Sequence, residues 1–508
     1  MPVSMWLSLE RGAPVPLAAQ LAEQLRERVL AGDLEPGDSL PSSRALAVEL
    51  GVARSVVVRA YEQLNGEGYL ESVAGSGTRI AQGIVTAPAA ASPIPRAPLP
   101  ERTERTERTA PSTGAPPAAP SDPDTRAVDL RTGLPFAPPS PPTEWRRALR
   151  DAAKLDLSVQ APPPLGDPGL REQIALHARR SRGLHCSPDD VIVTSGTVDA
   201  LLLIALAIGG GGRWLVEDPG YPEAVDALRL VGAAVALVPV SPEGLRADQL
   251  PGDGEPIDAV LVTPSHQFPL GGRMPASERT ALVAWAVDRR ALIVEDDYDS
   301  EFRHVGAALP AIAALDPGGA VAHIGSLNKS FSPGLRCGYV ITTAGSPIWR
   351  SLAEAKTILG SSASLPTQAA TVLFFESGGF RRYVARTRRE YRHRRALLLE
   401  LLAAEGLRDR LFGHEGGLHA MLRLPEGVDG GRLAEQLRER GVLVESVADF
   451  ARLPRPDDAI AIGYGAEPVA RLERGVAEIA RALRASPAPA PHSSRESRPA
   501  GSPARLVA

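Results

Sequence analysis

Apolar residues recur at regular intervals near the start of the chain. Leu17, Leu21, Leu25 and Val29 are each four positions apart. This spacing places them on one face of a helix, and Gly32 is a natural point for that helix to end. The pattern therefore predicts an amphipathic helix that ends at Gly32 and opens a small folded unit.

Two more helices and a β-hairpin are predicted directly after it. The stretch SSRALAVEL has serines at its start, Ser42 or Ser43, that can cap a helix, and Gly51 can end it. A third helix is predicted for residues 53–67, with its inward positions at Val56, Val57, Ala60 and Leu64. The stretch YLESVAGSGTRIA is typical of two short strands around a glycine-rich turn. Three helices and a hairpin predict a winged helix-turn-helix over residues 12–81.

Residues 127–486 show a different alternation. Short apolar runs, typical of buried strands, alternate with longer helical stretches, which predicts an α/β domain with a mostly parallel sheet. A smaller α+β subdomain is predicted from about Arg381. The predicted strands of the large sheet are VIVT, RWLVED, AAVALVPV, AVLVTP, ALIVEDD, AVAHIG and CGYVITT.

Two segments lack any such pattern. Residues 82–126 contain ten prolines among 45 positions and three consecutive ERT repeats. Such a composition cannot bury a core and predicts an extended linker, which at about 3.1 Å per residue could reach on the order of 100 Å. Residues 487–508 are rich in proline, serine and arginine and predict a disordered tail.

Composition narrows the possible functions. The 508 residues carry a formal net charge of -4, so any contact with DNA has to come from a local cluster of cations. Residues 1–81 themselves hold seven arginines and ten acidic residues. Cys186 and Cys337 form neither a disulfide framework nor a metal-binding spacing. With no signal-like start and no apolar run of membrane-spanning length, we expect a cytoplasmic protein without a metal site.

Lysine is rare in this chain, and one of the three lysines stands out. Lys154 and Lys356 lie in helical stretches and are expected to be exposed. Lys329, in GSLNKSFSPGLRCGY, follows a strand on a loop of small residues. A Schiff base requires an amine that can lose its proton, which arginine cannot provide. Ser326 and Arg336 nearby can bind a phosphate, and the combination suggests pyridoxal phosphate (PLP).

Four other stretches agree with a PLP site. Ser195-Gly196-Thr197-Val198 opens a helix after a strand and offers free amides to a phosphate. Tyr221, on a loop after another strand, can stack on a pyridine ring. VTPSHQFPLGG is a polar loop that can reach a ring oxygen. ALIVEDDYDSEF brings carboxylates to a strand end, where one can hold a protonated pyridine nitrogen.

Two resemblances give these motifs a family context. Residues 16–81, with PSSR, the pattern around AYEQL and the GSGT wing, resemble the DNA-binding domain of GntR-type bacterial regulators. About 360 later residues resemble fold-type-I, aspartate-aminotransferase-like enzymes. HQFPLG, EDDYDSEF and LNKSFSPGLRCGY are similar to the MocR branch, in which the two domains are fused. The resemblance implies a PLP-dependent transcriptional regulator, a double-stranded DNA operator, PLP or an amine as effector, and a head-to-tail homodimer.

The resemblance also implies roles for individual residues. Lys329 would form the Schiff base, Asp296 would hold the pyridine nitrogen and Tyr298 the ring hydroxyl. Tyr221 would stack on the ring, and His266 or Gln267 would take the place of the usual asparagine loop. The residues implied at the phosphate are Gly196, Thr197, Val198, Ser326 and Arg336. Those implied at DNA are Ser43, Arg44, Arg54, Ser55 and Arg59, with Gly75 and Gly77 shaping the wing.

The sequence departs from an amino-acid-binding enzyme at three places. Glu223 stands where GABA-responsive relatives have an arginine, AIAIGYGAEP lacks the arginine that holds a substrate carboxylate, and LSVQAPPPLGDPG lacks a tyrosine. The run Phe380–Arg395 holds eight arginines that could supply a cation, although a helix facing solvent or another domain is the simpler interpretation. Two alternatives stay open: an active aminotransferase with a fused DNA-binding domain, and a sensor of PLP itself that controls vitamin B6 synthesis. A winged helix used for protein contact is the alternative for the first domain.

Overall fold

A computed structural model describes most of the chain. The described residues are 7–12, 16–31, 33–66, 69–73, 77–81, 127–138, 141–155, 161–252, 256–305, 310–316, 318–455 and 458–485. The predicted linker, residues 82–126, and the predicted tail, residues 487–508, lie outside these ranges. No helix within them is both long and apolar enough to cross a membrane.

The N-terminal unit is the predicted winged helix. Its elements are α1 (Leu17–Ala31), α2 (Ser43–Glu49), α3 (Arg54–Gly66), β1 (Leu70–Val73) and β2 (Gly77–Ile80). Ser42 caps α2 by accepting a hydrogen bond from the Ala45 amide at 3.2 Å. The two strands pair antiparallel, with Leu70 opposite Ile80. Leu21, Leu25 and Val29 are buried, so the spacing in the sequence correctly identified the inward face of α1.

The second unit contains all the remaining elements. Its strands are β3 (Val128–Asp129), β4 (Val191–Thr194), β5 (Arg213–Asp218), β6 (Ala234–Pro239), β7 (Ala259–Val262), β8 (Leu292–Asp297), β9 (Val321–Ser326), β10 (Gly338–Ile341), β11 (Leu411–Phe412), β12 (His419–Arg423), β13 (Val442–Leu443), β14 (Glu445–Ser446) and β15 (Ala459–Gly463). Its helices are α4 (Thr143–Ala152), α5 (Pro168–Arg182), α6 (Thr197–Ala207), α7 (Pro222–Leu230), α8 (Ala276–Arg289), α9 (Leu327–Ser330), α10 (Pro347–Leu359), α11 (Leu365–Glu376), α12 (Gly379–Ala404), α13 (Gly430–Glu439) and α14 (Val469–Ala485).

The large sheet contains the seven predicted strands in the order β4-β10-β9-β8-β7-β5-β6. Strand β10 runs antiparallel to both neighbours, and the other strands are parallel. Strands β8 and β9 are buried along their whole length because helices cover both faces of the sheet. The carboxyl ends of the parallel strands therefore meet at one edge, where open α/β sheets bind ligands.

The smaller subdomain has an antiparallel sheet in the order β11-β12-β15-β14. Strand β3, far earlier in the chain, pairs in parallel with β13, with Val128 beside Val442. The subdomain therefore includes an N-terminal strand as well as the residues from about 381 onwards. A contact between positions this far apart carries no local sequence signal.

Candidate cofactor site and DNA-binding surface

The predicted ligand residues converge at the carboxyl edge of the large sheet. Gly196 follows β4, Tyr221 follows β5, His266 follows β7, Asp296 lies at the end of β8, and Lys329 follows β9. Because these strands are parallel, loops from distant parts of the sequence end on one side of the sheet. The topology thus accounts for the order in which the motifs occur along the chain.

Lys329 lies in the short helix α9 and points toward the loop after β3. Its Nζ donates a hydrogen bond to the carbonyl oxygen of Gly133 at 2.6 Å. Gly133 has a positive φ of 69°, and a Cβ there would lie 2.8 Å from the Lys329 Nζ. The positive φ favours glycine at this position, and its lack of a side chain leaves room for the amine.

The surroundings of Lys329 favour its reactive form. Burial lowers the pKa of its amine, so a larger fraction is unprotonated and able to attack a carbonyl group. Nearby carboxylates oppose this shift in pKa, and they are Asp299, Asp296, Glu223 and Glu445.

Asp296 is a buried carboxyl group without a cationic partner within hydrogen-bonding distance among the described residues. Burial raises its pKa to about 7, and the neighbouring charges of Asp297 and Asp299 add to that effect. The Thr197 hydroxyl donates to Asp296 Oδ1 at 3.4 Å. A positively charged group placed beside this carboxyl would restore its ionised form, as a protonated pyridine nitrogen does.

Tyr298, His266 and Asp299 form a hydrogen-bonded group next to Asp296. The Nδ1 atom of His266 lies 2.8 Å from the Tyr298 hydroxyl and 2.9 Å from Asp299 Oδ2. Burial disfavours the charged ring, but the Asp299 carboxylate outweighs it and raises the pKa of His266. An imidazole whose Nδ1–H donates to both oxygens leaves the Tyr298 hydrogen available for another acceptor.

Gln267 makes its contacts away from this group. Its side-chain amide donates to the carbonyl oxygens of Pro219 at 3.0 Å and Phe268 at 2.8 Å, and its Oε1 accepts from the Leu270 amide at 3.1 Å. These bonds hold the shape of the loop between β7 and α8. Of the two residues that the sequence left as alternatives, His266 is the one beside Tyr298.

The turn before α6 faces Arg336 and Asn328. Gly196 has a φ of 139°, and a Cβ there would lie 2.8 Å from Asn328 Nδ2 and 4.0 Å from Arg336 Nη1. Ser326 Oγ accepts from the Asn328 amide at 3.2 Å, which leaves its own hydrogen free to donate. Open amides at the start of α6, a serine hydroxyl and an exposed arginine are suited to a phosphate.

Tyr221 and Val198 border the same space. Tyr221 precedes α7 and meets Phe268 edge to face, with ring centroids 6.1 Å apart. Burial raises the pKa of its hydroxyl, Glu223 and Asp296 add to the effect, and Arg336 opposes it. Val198 is half-buried in the first turn of α6.

Three residues at this edge were missed in the sequence. Gly133 contacts the amine, Asp299 orients His266, and Asn328 has a buried Oδ1 without a hydrogen-bond partner among the described residues. Asp299 and Asn328 lie within the motifs that were recognised, so their position beside polar neighbours was the available signal. Gly133 had none, because its contact joins residues 196 positions apart.

The expectation that Lys356 is exposed is wrong. Lys356 is 2 % exposed, bonded to the Ser362 hydroxyl, and its Nζ lies 3.9 Å from Asp199 Oδ2. Asp199 also accepts from the Ser195 amide at 2.8 Å, so the buried lysine supports the turn before α6. Lys154, by contrast, is exposed as expected and pairs with Asp151.

The arginine-rich run forms part of α12. Arg394 is 4 % exposed and donates to the carbonyl oxygens of Gly465 and Glu467 at 2.5 and 2.8 Å. Arg388 donates to the carbonyl oxygen of Glu301 at 2.7 Å. These arginines hold the helix to neighbouring segments, in agreement with a helix that faces another part of the protein.

The predicted DNA-contact residues lie at the starts of α2 and α3. Arg54 Nε donates to Ser43 Oγ at 3.3 Å, which joins the two helix starts. Arg44, Arg54, Ser55 and Arg59 are exposed. Ser55 and Arg59 are one helical turn apart and share a face. Of the two wing glycines, Gly77 begins β2, whereas Gly75 lies outside the described residues.

Two family models match the chain. The model of bacterial regulatory proteins of the gntR family matches residues 17–80, and the model of aminotransferase class I and II matches residues 128–455. Among solved structures, an archaeal alanine:glyoxylate aminotransferase is similar, with a TM-score of 0.65 and 26% identity, over 71% of this chain and 91% of that one. The predicted fold class is thereby confirmed.

Similar regulators extend over almost the whole chain. The HTH-type pyridoxine biosynthesis transcriptional regulator PdxR of Corynebacterium glutamicum is 36% identical, over 94% of this chain and 98% of the relative. The probable rhizopine catabolism regulatory protein MocR of Rhizobium meliloti is 32% identical, over 94% of this chain and 96% of the relative. This protein is a transcriptional regulator of the MocR family, in which a GntR-type winged helix is fused to an aminotransferase-like domain.

Proposed function

We propose that this regulator binds PLP at the carboxyl edge of the large sheet and responds to its occupancy. The observation that carries the proposal is the pairing of a lysine of lowered pKa, Lys329, with a buried carboxyl group, Asp296, whose pKa is raised to about 7. PLP supplies an aldehyde for the amine and a ring nitrogen that is cationic when protonated. The two groups therefore fit opposite ends of one cofactor.

The other predicted residues fit the remaining parts of PLP. We infer that Tyr298 donates to the ring hydroxyl, held in place by His266. Tyr221 covers one face of the ring. The phosphate would be held by Gly196, Thr197, Val198, Ser326 and Arg336. The space that Gly196 leaves open toward Asn328 and Arg336 supports this assignment, because any larger residue would fill it.

The acidic surroundings of Lys329 bear on the effector. Glu445 lies opposite Ala461 in the small sheet and accepts from the Thr132 amide and hydroxyl at 2.7 and 2.8 Å, next to the Gly133 loop. Glu223 is a second acidic group near the amine. Carboxylates repel the carboxylate of an amino acid, so we propose that the effector is PLP itself or an amine without a carboxylate.

The same charges argue against efficient transamination. Turnover requires a substrate carboxylate held in one orientation, and such positioning contributes about 7–11 kcal/mol to catalysis. The name of PdxR, a regulator of pyridoxine biosynthesis, supports a role in vitamin B6 supply for this protein too. We further propose that the protein acts as a head-to-tail homodimer on a double-stranded operator, with Ser43, Arg44, Arg54, Ser55 and Arg59 at the DNA and Gly75 and Gly77 in the wing.

Borohydride trapping tests the cofactor proposal. Reduction of the PLP-loaded protein is expected to fix PLP on the peptide that contains Lys329, as read by mass spectrometry. Lys329→Ala should abolish the label, because no other lysine faces Asp296. Lys154→Ala is the control and should be labelled fully, since Lys154 is exposed and pairs with Asp151. A label on Lys154 or Lys356, or no binding of PLP, contradicts the proposal.

An amine panel tests the effector class and the lack of turnover. The PLP-loaded protein is mixed with amines, with amino acids and with a keto acid, and its visible spectrum and keto products are followed. We expect amines without a carboxylate to change the spectrum at lower concentrations than amino acids do, with no keto product. Multiple turnovers at about 1–1000 per second, the ordinary range of enzymes, would establish an active aminotransferase instead.

A further inference from the structure

The winged helix packs against the start of α8 and against a 3-10 turn of the aminotransferase-like domain. Its apolar core, which includes the buried Tyr69, continues onto Ala276 and Leu315, which are 2 % and 6 % exposed. A second contact brings one carboxylate oxygen each of Glu23 and Glu27 in α1 within 4.8 Å of an imidazole nitrogen of His185. The two units of the chain therefore share a continuous surface.

The loop that precedes α8 is held by Arg279, which lies one turn after Ala276 in that helix. Arg279 is 2 % exposed and donates to the carbonyl oxygens of Met274 at 3.0 Å, Pro264 at 2.6 Å and Pro310 at 2.6 Å. Pro264 lies two residues before His266, the partner of Tyr298. Arg279 thus fixes the loop that carries His266 on one side while α8 meets the winged helix on the other.

Tyr69 lies close enough to Arg279 to affect its charge. Burial lowers the pKa of Arg279, and Glu295 and Tyr69 oppose that shift. Within the described part of the chain, the Arg279 guanidinium donates its hydrogen bonds to carbonyl oxygens and has no carboxylate at hydrogen-bonding distance. The three loop carbonyl oxygens therefore set the position of the Arg279 guanidinium. A change in the conformation of the His266 loop would move this guanidinium relative to Tyr69.

The 3-10 turn at this surface is tied to Asp296 through its neighbour Glu295. The amides of Ile312 and Ala313 donate to the Glu295 carboxylate at 2.8 and 3.2 Å. These amides belong to the 3-10 turn Ile312–Leu315, which ends with the Leu315 that touches the winged helix. Each contact point of the winged helix is therefore linked to the proposed cofactor site through one residue. Arg279 links the start of α8 to the loop of His266, and Glu295 links the turn of Leu315 to the end of β8.

We propose that Arg279 and Glu295 are positioning residues that couple the cofactor site to the docking of the winged helix. The inference rests on the proposed binding of PLP. Contacts of the PLP ring with Tyr298, His266 and Asp296 would hold the two connected segments in a single conformation. Ala276 and Leu315, which form the docking surface for the winged helix, would then be held in the matching positions. Because coupling between two ligands is reciprocal, operator DNA changes the affinity for PLP by the same factor by which PLP changes the affinity for the operator.

The test measures that factor directly. The dissociation constant for operator is measured with and without PLP, and the constant for PLP with and without operator, at one salt concentration. In the natural protein we expect equal factors of about 5- to 150-fold in the two experiments. Arg279→Lys keeps the charge but loses the planar fork that reaches three carbonyl oxygens. We expect this variant to keep its operator constant without PLP within about threefold, while the coupling factor falls toward one.

A second pair of variants separates coupling from folding. Leu315→Asp places a charge at the docking surface, and Leu230→Asp places the same change at a leucine that is 79 % exposed. The coupling factor between PLP and operator should fall for Leu315→Asp and stay unchanged for Leu230→Asp. If Leu315→Asp does not fold, Leu315→Ala takes its place. A factor retained in Arg279→Lys and in the Leu315 variant overturns the inference, as does a natural protein that binds PLP without any change in operator affinity. Failure to bind PLP at Lys329 overturns the proposed function itself.

Discussion

The winged helix and the cofactor site differ in how their parts are distributed along the sequence. The predicted DNA-contact residues on the helices span positions 43 to 59, within two consecutive helices. The groups around Lys329 span positions 133 to 445. Most of them follow five parallel strands that end at one edge of the large sheet, whereas Gly133 follows β3 and Glu445 lies in β14 of the smaller sheet. The first site is a local property of a short segment, whereas the second exists only in the folded domain.

The two regions also differ in charge and exposure. The winged helix offers exposed arginines, which act on a partner through water. The cofactor site encloses carboxyl groups whose burial raises the pKa of Asp296 to about 7. Exposed cations are ready for a polyanion, but buried acids are stabilised only when a cation enters beside them. The intrinsic affinity of each region for its own ligand can therefore be weakened by substitutions in that region alone.

Removal of the three exposed arginines should give the largest effect. A triple Arg44/Arg54/Arg59→Ala variant is expected to lose about 3–9 kcal/mol of operator binding, since each contact to a base edge contributes about 1–3 kcal/mol. Operator affinity at fixed salt is the measurement, and PLP trapping at Lys329 should be unchanged. Arg28→Ala in α1, which breaks an ion pair with Asp33 in the following turn, serves as the control. Normal operator binding by the triple variant would favour a winged helix that contacts protein.

The pH dependence of the PLP-free protein should give the next effect. Asp296 has a folded pKa of about 7 against an ordinary 3.8, so the folded state holds this proton more tightly. The contribution of Asp296 to the free energy of unfolding is therefore fully present below about pH 4 and is lost as pH rises to about 7. Because one pKa unit corresponds to about 1.4 kcal/mol, the loss is on the order of 4 kcal/mol.

Asp296→Asn isolates that contribution, because the amide does not ionise. In thermal unfolding without PLP, the free energy of unfolding of Asp296→Asn minus that of the natural protein should rise between about pH 4 and pH 7. Above pH 7 this difference should stay constant. Parallel pH profiles of the two proteins across this range would show that Asp296 keeps its ordinary pKa.

The same substitution should weaken PLP binding by a smaller amount. Asp296→Asn replaces a charge-assisted hydrogen bond to the ring nitrogen by a neutral one, so we expect a loss of about 1.5–3 kcal/mol in a PLP titration. Asp288→Asn in α8 is a matched control, because its side chain is 75% exposed. Operator affinity without PLP should be the same in both variants. Equal affinity of both variants for PLP would remove Asp296 from the cofactor site.

The sequence predicted regular elements better than contacts between them. All seven strands of the large sheet were identified, because a strand buried on both faces is a continuous apolar run. The pairing of β3 with β13 was not, since it joins positions more than 300 residues apart. Burial of Lys356 was missed for the same reason, as Asp199 lies on another helix.

Within the site, residue types were easier to predict than their partners. Lys329, Asp296 and Gly196 were singled out because the sequence shows strand ends and small residues at these positions. The structure brings them to one edge of the sheet, and their roles stay predictions. The sequence left His266 and Gln267 as alternatives, because it does not show which side chain the loop turns toward Tyr298. The side chain of Gln267 is bonded to Pro219 and Leu270, and a role of His266 at the ring stays a prediction. Such choices are made by tertiary hydrogen bonds, which a single sequence does not contain.

The distribution of lysines has a practical consequence for labelling. Amine-reactive dyes need an accessible primary amine, and of the three lysines Lys154 has a side chain that is 75% exposed while Lys356 is buried. If PLP binds at Lys329 as proposed, saturating the protein with PLP before the reaction would leave Lys154 as the accessible lysine side chain. A fluorophore could thus be attached at one known lysine side chain, just after α4, without introducing a cysteine, which gives a natural handle for single-molecule measurements.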